Sequence, residues 1–187
     1  MSPFVDMNEH YDRMEIALHW ATVLLVTTLY GLAQVWSFIQ RGAQSRIELQ
    51  SVHVSLGMCL AVVLALRIIW RVGPGRRLPS AASGIAEVAS KLVHYALYVL
   101  LACVIVLGFG FRWSQHVPLS LFGWFAVPAP YPFSEQQEKL IGDLHYWVAT
   151  AAVILACGHA GAALVHQYVL HDRVLRRMLP ARSARKG

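Results

Sequence analysis

The sequence predicts an all-α integral membrane protein, a four-helix bundle with both termini in the cytoplasm. Hydrophobic residues make up 57% of the 187 positions, charged residues make up only 14%, and the mean hydropathy is +0.49. These values lie outside the range of soluble globular proteins. Four apolar runs each reach the roughly 20 residues that cross about 30 Å of hydrocarbon. Basic residues are concentrated on alternate connections, which predicts the orientation.

The four predicted spans are residues 16–39, 49–70, 87–111 and 140–170, all within one domain, 1–187. The fourth span, at about 1.5 Å of rise per residue, is longer than the hydrocarbon layer and is expected to tilt or project from it.

The connection between the third and fourth spans, residues 112–139, is predicted to be periplasmic. It is rich in aromatic residues and contains Pro118, Pro128, Pro130 and Pro132, which forbid a continuous helix. It is therefore expected to be either an interfacial flap over the end of the bundle or a plain connecting loop.

Basic residues divide unequally between the two sides of the predicted bundle. Twelve lie on the side of the termini: Arg13, Arg67, Arg71, Arg76, Arg77, Lys91, Arg173, Arg176, Arg177, Arg182, Arg185 and Lys186. Four lie on the other side: Arg41, Arg46, Arg112 and Lys139. The positive-inside rule therefore places the termini and the basic tail, residues 171–187, in the cytoplasm. The net charge of +6 then reflects topology and contact with lipid headgroups, and no nucleic-acid partner is expected.

Cysteine usage excludes several classes of site. Cys59, Cys103 and Cys157 lie in apolar runs, and the sequence has no CxxC or CxxCH motif. Disulfide frameworks, zinc sites and covalent c-type haem are therefore not expected, and the three thiols are predicted to act as small hydrophobic residues.

Histidines in the fourth span give the first indication of a cofactor. His145 and His159 are fourteen residues apart, which corresponds to about 21 Å of rise and about 1400° of rotation. The two imidazoles should therefore share one helix face, one near each membrane surface. His166 follows seven residues later, at or beyond the cytoplasmic interface.

Two other spans carry histidines at matching depths. His53 begins the second span on the periplasmic side, level with His145, and His19 begins the first span on the cytoplasmic side, level with His159. Ionisable groups inside a membrane are functional candidates. Two cross-bundle pairs predict axial ligands to the iron of two b-type haems. Zinc is disfavoured because a pair fills only half of its tetrahedron, and interhelical hydrogen bonding is the structural alternative.

Residues near these histidines suit a haem or ordinary packing. Arg67 and Arg71 could pair with haem propionates or extend to the interface from a helix end. His94 could be a spare ligand, but its level already has two, so a hydrogen bond to the edge of the cytoplasmic haem or to a quinone is preferred. Three glycines leave room for a macrocycle or for close helix packing: Gly57, Gly158 and Gly161. The remaining histidines are expected to be ordinary exposed residues: His10, His116 and His171.

From about residue 11 to about residue 182 the chain resembles the bacterial cytochrome b561 family of four-helix, di-haem membrane proteins. The similarity is carried by IALHW at 16–20, VHVSLGM at 52–58, LRIIWR at 66–71, HYALYVLL at 94–101 and LHYWVATAAVILACGHAGAALVHQYVLHDRVLRRMLP at 144–180.

The family's haem ligands correspond to His19, His53, His145 and His159, the residues already selected by depth and helix phase. Two departures stand out: Tyr146 replaces a glutamate that many relatives have, and His166-Gln167 replaces a His-His pair.

The resemblance implies electron transfer across the bacterial inner membrane to the quinone pool, and one branch of the family oxidises periplasmic superoxide and reduces ubiquinone. On that expectation Arg46, Arg112 and Lys139 would steer superoxide, and a quinone would bind near His94 and His166. Two alternatives remain: a membrane-anchor electron carrier for a separate dehydrogenase or periplasmic redox partner, and a haem-free bundle with hydrogen-bonded histidines.

Overall fold

The computed structural model describes residues 10–76, 78–79, 84–130, 132–172 and 174–179. Its long elements are four α-helices: α1 Arg13–Ser37, α2 Gln44–Val72, α3 Ile85–Ser114 and α4 Glu135–Tyr168. All four are long and apolar enough to cross a membrane. The predicted all-α, four-helix membrane bundle is therefore confirmed.

The helices alternate in direction, which gives the bundle two distinct ends. We call the end where α1 and α3 begin the termini end, and the end where α2 and α4 begin the loop end. The first is predicted to be cytoplasmic and the second periplasmic. Five of the basic residues used for that prediction lie outside the described residues: Arg77, Arg173, Arg182, Arg185 and Lys186.

The bundle consists of two helical hairpins. Helix α1 packs mainly on α2, and α3 packs mainly on α4, while contacts between α2 and α3 join the two pairs. Buried leucines form the small interior: Leu18, Leu29, Leu60, Leu64 and Leu101. Many other large apolar side chains are exposed, among them Leu24, Ile69, Val106 and Ile154. An apolar exterior of this kind suits a protein whose surrounding solvent is lipid.

Helix α4 begins five residues before the predicted start at residue 140. Ser134 Oγ accepts a hydrogen bond from the Gln137 N–H, and Gln137 Oε1 accepts one from the Ser134 N–H, at 3.3 and 2.9 Å. This capping box stabilises a first turn made of polar residues. A helix start predicted from an apolar run misses such a polar turn, which explains why the predicted start is five residues too late.

The connection between α3 and α4 contains a short antiparallel hairpin, β1 Leu119–Ser120 paired with β2 Ala126–Val127. The Ser55 side chain of α2, only 1% exposed, holds it in place. Its hydroxyl donates to the Ser120 carbonyl at 3.1 Å and accepts from the Phe122 N–H at 2.9 Å. The hairpin is thus fixed to the loop end of the bundle, and Trp124 at its tip is 86% exposed.

Asp12 connects three segments at the termini end. It is the N-cap of α1, and its Oδ1 accepts from the Glu15 N–H and from Trp70 Nε1 at 2.9 and 3.0 Å. Its Oδ2 accepts from the Arg76 N–H at 3.0 Å. Although burial raises the pKa of Asp12, these hydrogen bonds outweigh that effect and hold the pKa below its ordinary value.

We expect Asp12→Ala to destabilise the protein by about 1 to 2 kcal/mol, because the α1 cap is lost and the indole of Trp70 loses its acceptor. A depressed pKa means that the Asp12 contribution is present above the ordinary value of 3.8 and is lost as the pH falls below it. Thermal unfolding in detergent, measured from neutral pH downward, should show a difference between wild type and variant that shrinks in acid. A difference that stays constant with pH would contradict this role for the carboxylate.

Candidate functional site

His53 on α2 and His145 on α4 face each other across the bundle near the loop end. Their ring centroids are 6.4 Å apart, with the ring planes at 78°. His53 Nδ1 lies 3.1 Å from the Leu29 carbonyl oxygen, and His145 Nδ1 lies 3.1 Å from the Val104 carbonyl oxygen. Carbonyls only accept, so both Nδ1 atoms carry the proton, and each Nε2 is left with a free lone pair.

The loop-end pair fits a metal held between two imidazoles. A metal–nitrogen bond is about 2 Å long, and the centre of an imidazole lies about 1 Å further on, so two axial ligands place their ring centres about 6 Å apart. The observed 6.4 Å agrees with this value. Hydrogen bonds from Nδ1–H to carbonyl oxygens are also the usual way in which a protein orients histidine ligands.

A cavity of about 540 Å³ surrounds the two rings. Its volume lies within the range of small-molecule and cofactor sites. Its walls come from all four helices and from Leu119 of β1, so the site belongs to the bundle and the hairpin together. The cavity and the imidazole pair therefore fit a haem.

Gly108 on α3 makes room for the His145 ring. A Cβ atom at this position would lie 3.0 Å from His145 Cε1 and 3.3 Å from its Nδ1. Gly108 is one turn after Val104, whose carbonyl accepts from that ring, so a single turn of α3 supplies both the acceptor and the space. Nothing in the sequence pattern singles out Gly108, because its importance depends on a neighbour 37 positions later.

A second cluster of histidines lies nearer the termini end. The rings of His94 on α3 and His159 on α4 have centroids 4.9 Å apart at an angle of 78°. His19 on α1 is within electrostatic reach of both rings. The predicted pairing of His19 with His159 stays a prediction, since the ring that packs against His159 is that of His94.

Arg67 fixes the tautomer of His19. Its Nη2 atom donates to His19 Nδ1 at 3.0 Å, and its guanidinium lies 5.2 Å from the ring centre of Tyr98. In this arrangement His19 carries its proton on Nε2, the opposite of the loop-end histidines. The imidazoles of this cluster suit the iron of a haem, and the guanidinium suits its carboxylates. Such binding requires that Arg67 releases Nδ1 of His19.

Arg71 and His166 have partners of their own. Arg71 forms a 3.3 Å ion pair with Glu15, which is 3% exposed, and lies over the Tyr11 ring. A haem propionate would have to compete with that carboxylate. His166 donates from Nδ1 to Asp172, and this hydrogen bond lowers the pKa of the Asp172 carboxyl. Asp172 is a candidate residue to which the sequence pattern assigns no role.

The three histidines expected to be ordinary lie outside the four long helices. His116 and His171 are exposed, and each adopts a positive φ of 57° in a connecting segment. His10 precedes α1 and is partly exposed. The Nδ1 atom of His10 is buried and has no hydrogen-bond partner among the described residues, so only the exposed His116 and His171 provide control sites for the histidines inside the bundle.

The fold and the site together define a multi-pass membrane cytochrome of the b type, with imidazoles inside a four-helix bundle. The chain belongs to the prokaryotic cytochrome b561 family, whose model matches residues 10–181. Members of this family are electron-transfer membrane proteins that carry haem b, so this chain is a bacterial multi-pass electron-transfer protein.

Three curated relatives cover almost the whole chain. Cytochrome b561 homolog 2 of Escherichia coli (strain K12) is 33% identical over 190 residues, which is 98% of each chain. Cytochrome b561 homolog 1 of the same strain is 28% identical over 174 residues, 92% of this chain and 98% of the relative. The probable superoxide oxidase CybB of Yersinia pestis is 25% identical over 179 residues, 93% of this chain and 98% of the relative.

Proposed function

We propose that the chain binds two haem b groups, one toward each surface of the bacterial inner membrane, and that it oxidises superoxide at the loop end and reduces ubiquinone at the termini end. The observation that carries the proposal is the His53–His145 pair, with centroids 6.4 Å apart and both Nδ1 atoms bonded to carbonyls. Bound haem b supplies one-electron redox chemistry. Similarity to a probable superoxide oxidase supports the choice of substrate.

The four proposed iron ligands are His53 with His145 and His19 with His159. The first pair is supported by its ring separation and its carbonyl partners. The second is supported by equal depth on α1 and α4 and by the matching strings of the family. For His19 to act as a ligand through Nε2, its proton has to move to Nδ1, which requires Arg67 to release that atom.

The overall reaction consumes protons at the termini end. Two superoxide anions, one quinone and two protons give two molecules of O2 and one quinol, which balances atoms and charge. Asp172 holds the Nδ1 proton of His166, so that Nε2 is free to accept a proton from the cytoplasm. His94 donates from Nδ1 to the Ser90 carbonyl at 2.7 Å, which leaves its Nε2 free in the same way. These two residues are our candidates for the quinone site.

The basic residues of the loop end differ in what they can offer superoxide. Arg46 donates to the carbonyls of Trp36 and Ile39 at 2.9 and 2.8 Å, and so stabilises the end of α1. Arg112 lies in the wall of the His53–His145 cavity. Lys139, in the polar first turns of α4, is exposed. Of the three it is the one whose side chain is open to an anion in solution, although Glu135 and Asp143 lie one helical turn to either side of it.

The function is tested by mixing oxidised protein with superoxide in a stopped-flow spectrometer. We expect haem absorbance to change with a rate constant of about 10⁸ M⁻¹ s⁻¹ at low salt, because the exposed Lys139 attracts the anion locally, and to slow as salt is added. Lys139→Gln should weaken the salt dependence, and superoxide dismutase should abolish the reaction.

Slow haem reduction that does not depend on ionic strength would contradict superoxide oxidation. It would favour the alternative of an electron carrier, for which the exposed Trp124 of the hairpin offers a docking point for a redox partner. A reduced-minus-oxidised difference spectrum of the purified protein is the prior control. Absence of a b-type α-band would overturn both forms of the proposal.

A further inference from the structure

The loop-end cavity is divided into an apolar part and a polar rim. Toward the middle of the bundle its walls are aliphatic, as at Leu60, Leu101 and Val153. Toward the membrane surface they include the side chains of Gln34, Gln50, Arg112 and Gln115. A ligand that fits this cavity is therefore apolar over most of its surface and polar at one edge.

Arg112 provides the positive charge of that rim. It is one helical turn after Gly108, where an added Cβ would lie 3.0 Å from the His145 ring, so it lies about 6 Å closer to the loop end on the same side of α3. It also lines a second, smaller pocket beneath the hairpin, next to Ser55 and Ser120. Arg112 thus lies between the His53–His145 pair and the β1–β2 hairpin.

The Nε atom of Arg112 is buried and has no hydrogen-bond partner among the described residues. A buried N–H without an acceptor is costly, and more so on a charged group. Arg46 on the same end differs, since its guanidinium donates to two carbonyls. The unpaired N–H of Arg112 therefore calls for an anionic acceptor in the cavity, and the planar guanidinium suits a carboxylate best.

We propose that Arg112 binds a carboxylate of the porphyrin in the loop-end cavity, and thereby sets the orientation of that haem with its propionates toward the hairpin. The inference rests on the proposed loop-end haem. It assigns Arg112 to the cofactor and leaves Lys139 to attract superoxide. The free anion is the other possible acceptor, and it shares the same chemistry.

The test uses full-length protein in the His159→Ala background, purified in detergent, stripped of haem and reloaded at the remaining loop-end pair. Haem b is compared with its dimethyl ester, in which both carboxylates are blocked. The apparent dissociation constants are measured by absorbance. We expect haem b to bind about 10-fold more tightly than the ester, as befits a charge-assisted hydrogen bond. This comparison requires no substitution at Arg112.

Arg112→Gln should then weaken binding of haem b about 10-fold and leave binding of the ester unchanged. Lys139→Gln, which removes one positive charge from the same end, is the matched control and should change neither constant.

Equal weakening of both forms by Arg112→Gln would mean that Arg112 only supports the fold, and would overturn the proposal. Unchanged binding of both forms, together with slower reduction by superoxide, would assign the guanidinium to the free anion and would also overturn it. If neither form binds before Arg112 is changed, the loop-end haem itself is wrong. That outcome is distinct from a failure at Arg112 alone.

Discussion

Replacing His145 with alanine is expected to remove one haem and leave the other in place. The substitution deletes one of the two imidazoles that are proposed to hold this haem, and His53 alone would hold it from one side only. The haem-to-protein ratio, measured by the pyridine haemochrome method, should fall from about two to about one under the proposed di-haem arrangement. His53→Ala should give the same ratio and the same residual spectrum, because both residues are proposed to hold the same haem.

Two further substitutions give the control and the reciprocal test. His171→Ala removes an exposed imidazole outside both clusters and should keep both haems. His159→Ala should lose the termini-end haem and keep the loop-end haem, whose spectrum is the one that His145→Ala loses. The pairing is wrong if His53→Ala and His145→Ala leave different residual spectra, or if His145→Ala keeps both haems. Far-ultraviolet circular dichroism separates loss of haem from loss of fold.

Hydropathy was sufficient to predict the four-helix architecture, and helix phase and depth were sufficient to predict that the rings of His53 and His145 face each other. A rise of about 1.5 Å per residue relates His145 to His159 without knowledge of any contact. Charge asymmetry predicted which connections share a side. These properties follow from periodic geometry and from transfer into lipid, so they can be derived from a single sequence.

The orientation of the rings could not be predicted in this way. Helix phase places His53 and His145 on facing sides. Which ring nitrogen carries the proton, Nδ1 or Nε2, depends on the carbonyls of Leu29 and Val104. Each of these oxygens has a second lone pair, beyond the one used in its own helix, that can accept a side-chain donor. Only the packing of α1 on α2 and of α3 on α4 shows which carbonyls are within reach.

At the termini end the structure adds contacts that depth alone did not reveal. His94 packs against His159, although a hydrogen bond to a haem or quinone was preferred for it over a role as a ligand. Arg67 donates to His19, where a propionate partner was one of two predictions. Polar side chains on long stems reach partners more than a turn away, and the pattern of apolar residues carries no information about such contacts.

Gly108→Val is expected to weaken haem binding at the loop end by about 10- to 100-fold, the usual effect of disturbing the groups that orient a metal ligand. The added Cβ alone would lie 3.0 Å from His145 Cε1, and the branched side chain brings further atoms toward the ring. The ring has to move, and its hydrogen bond to the Val104 carbonyl is then lost. Haem content and the rate of haem transfer to an apo-globin acceptor measure the effect.

Gly110→Val is the matched control, because the same residue is introduced two positions later on the same helix. A Cβ there meets only Ile141 Cγ2 at 3.6 Å, an ordinary contact. Both substitutions have the same effect on intrinsic helix propensity, since valine replaces glycine in each case. A selective loss at Gly108 must therefore come from the His145 ring. Equal haem loss in the two variants would show that haem binding responds to any added bulk on α3. The space beside His145 would then have no special role in orienting that imidazole.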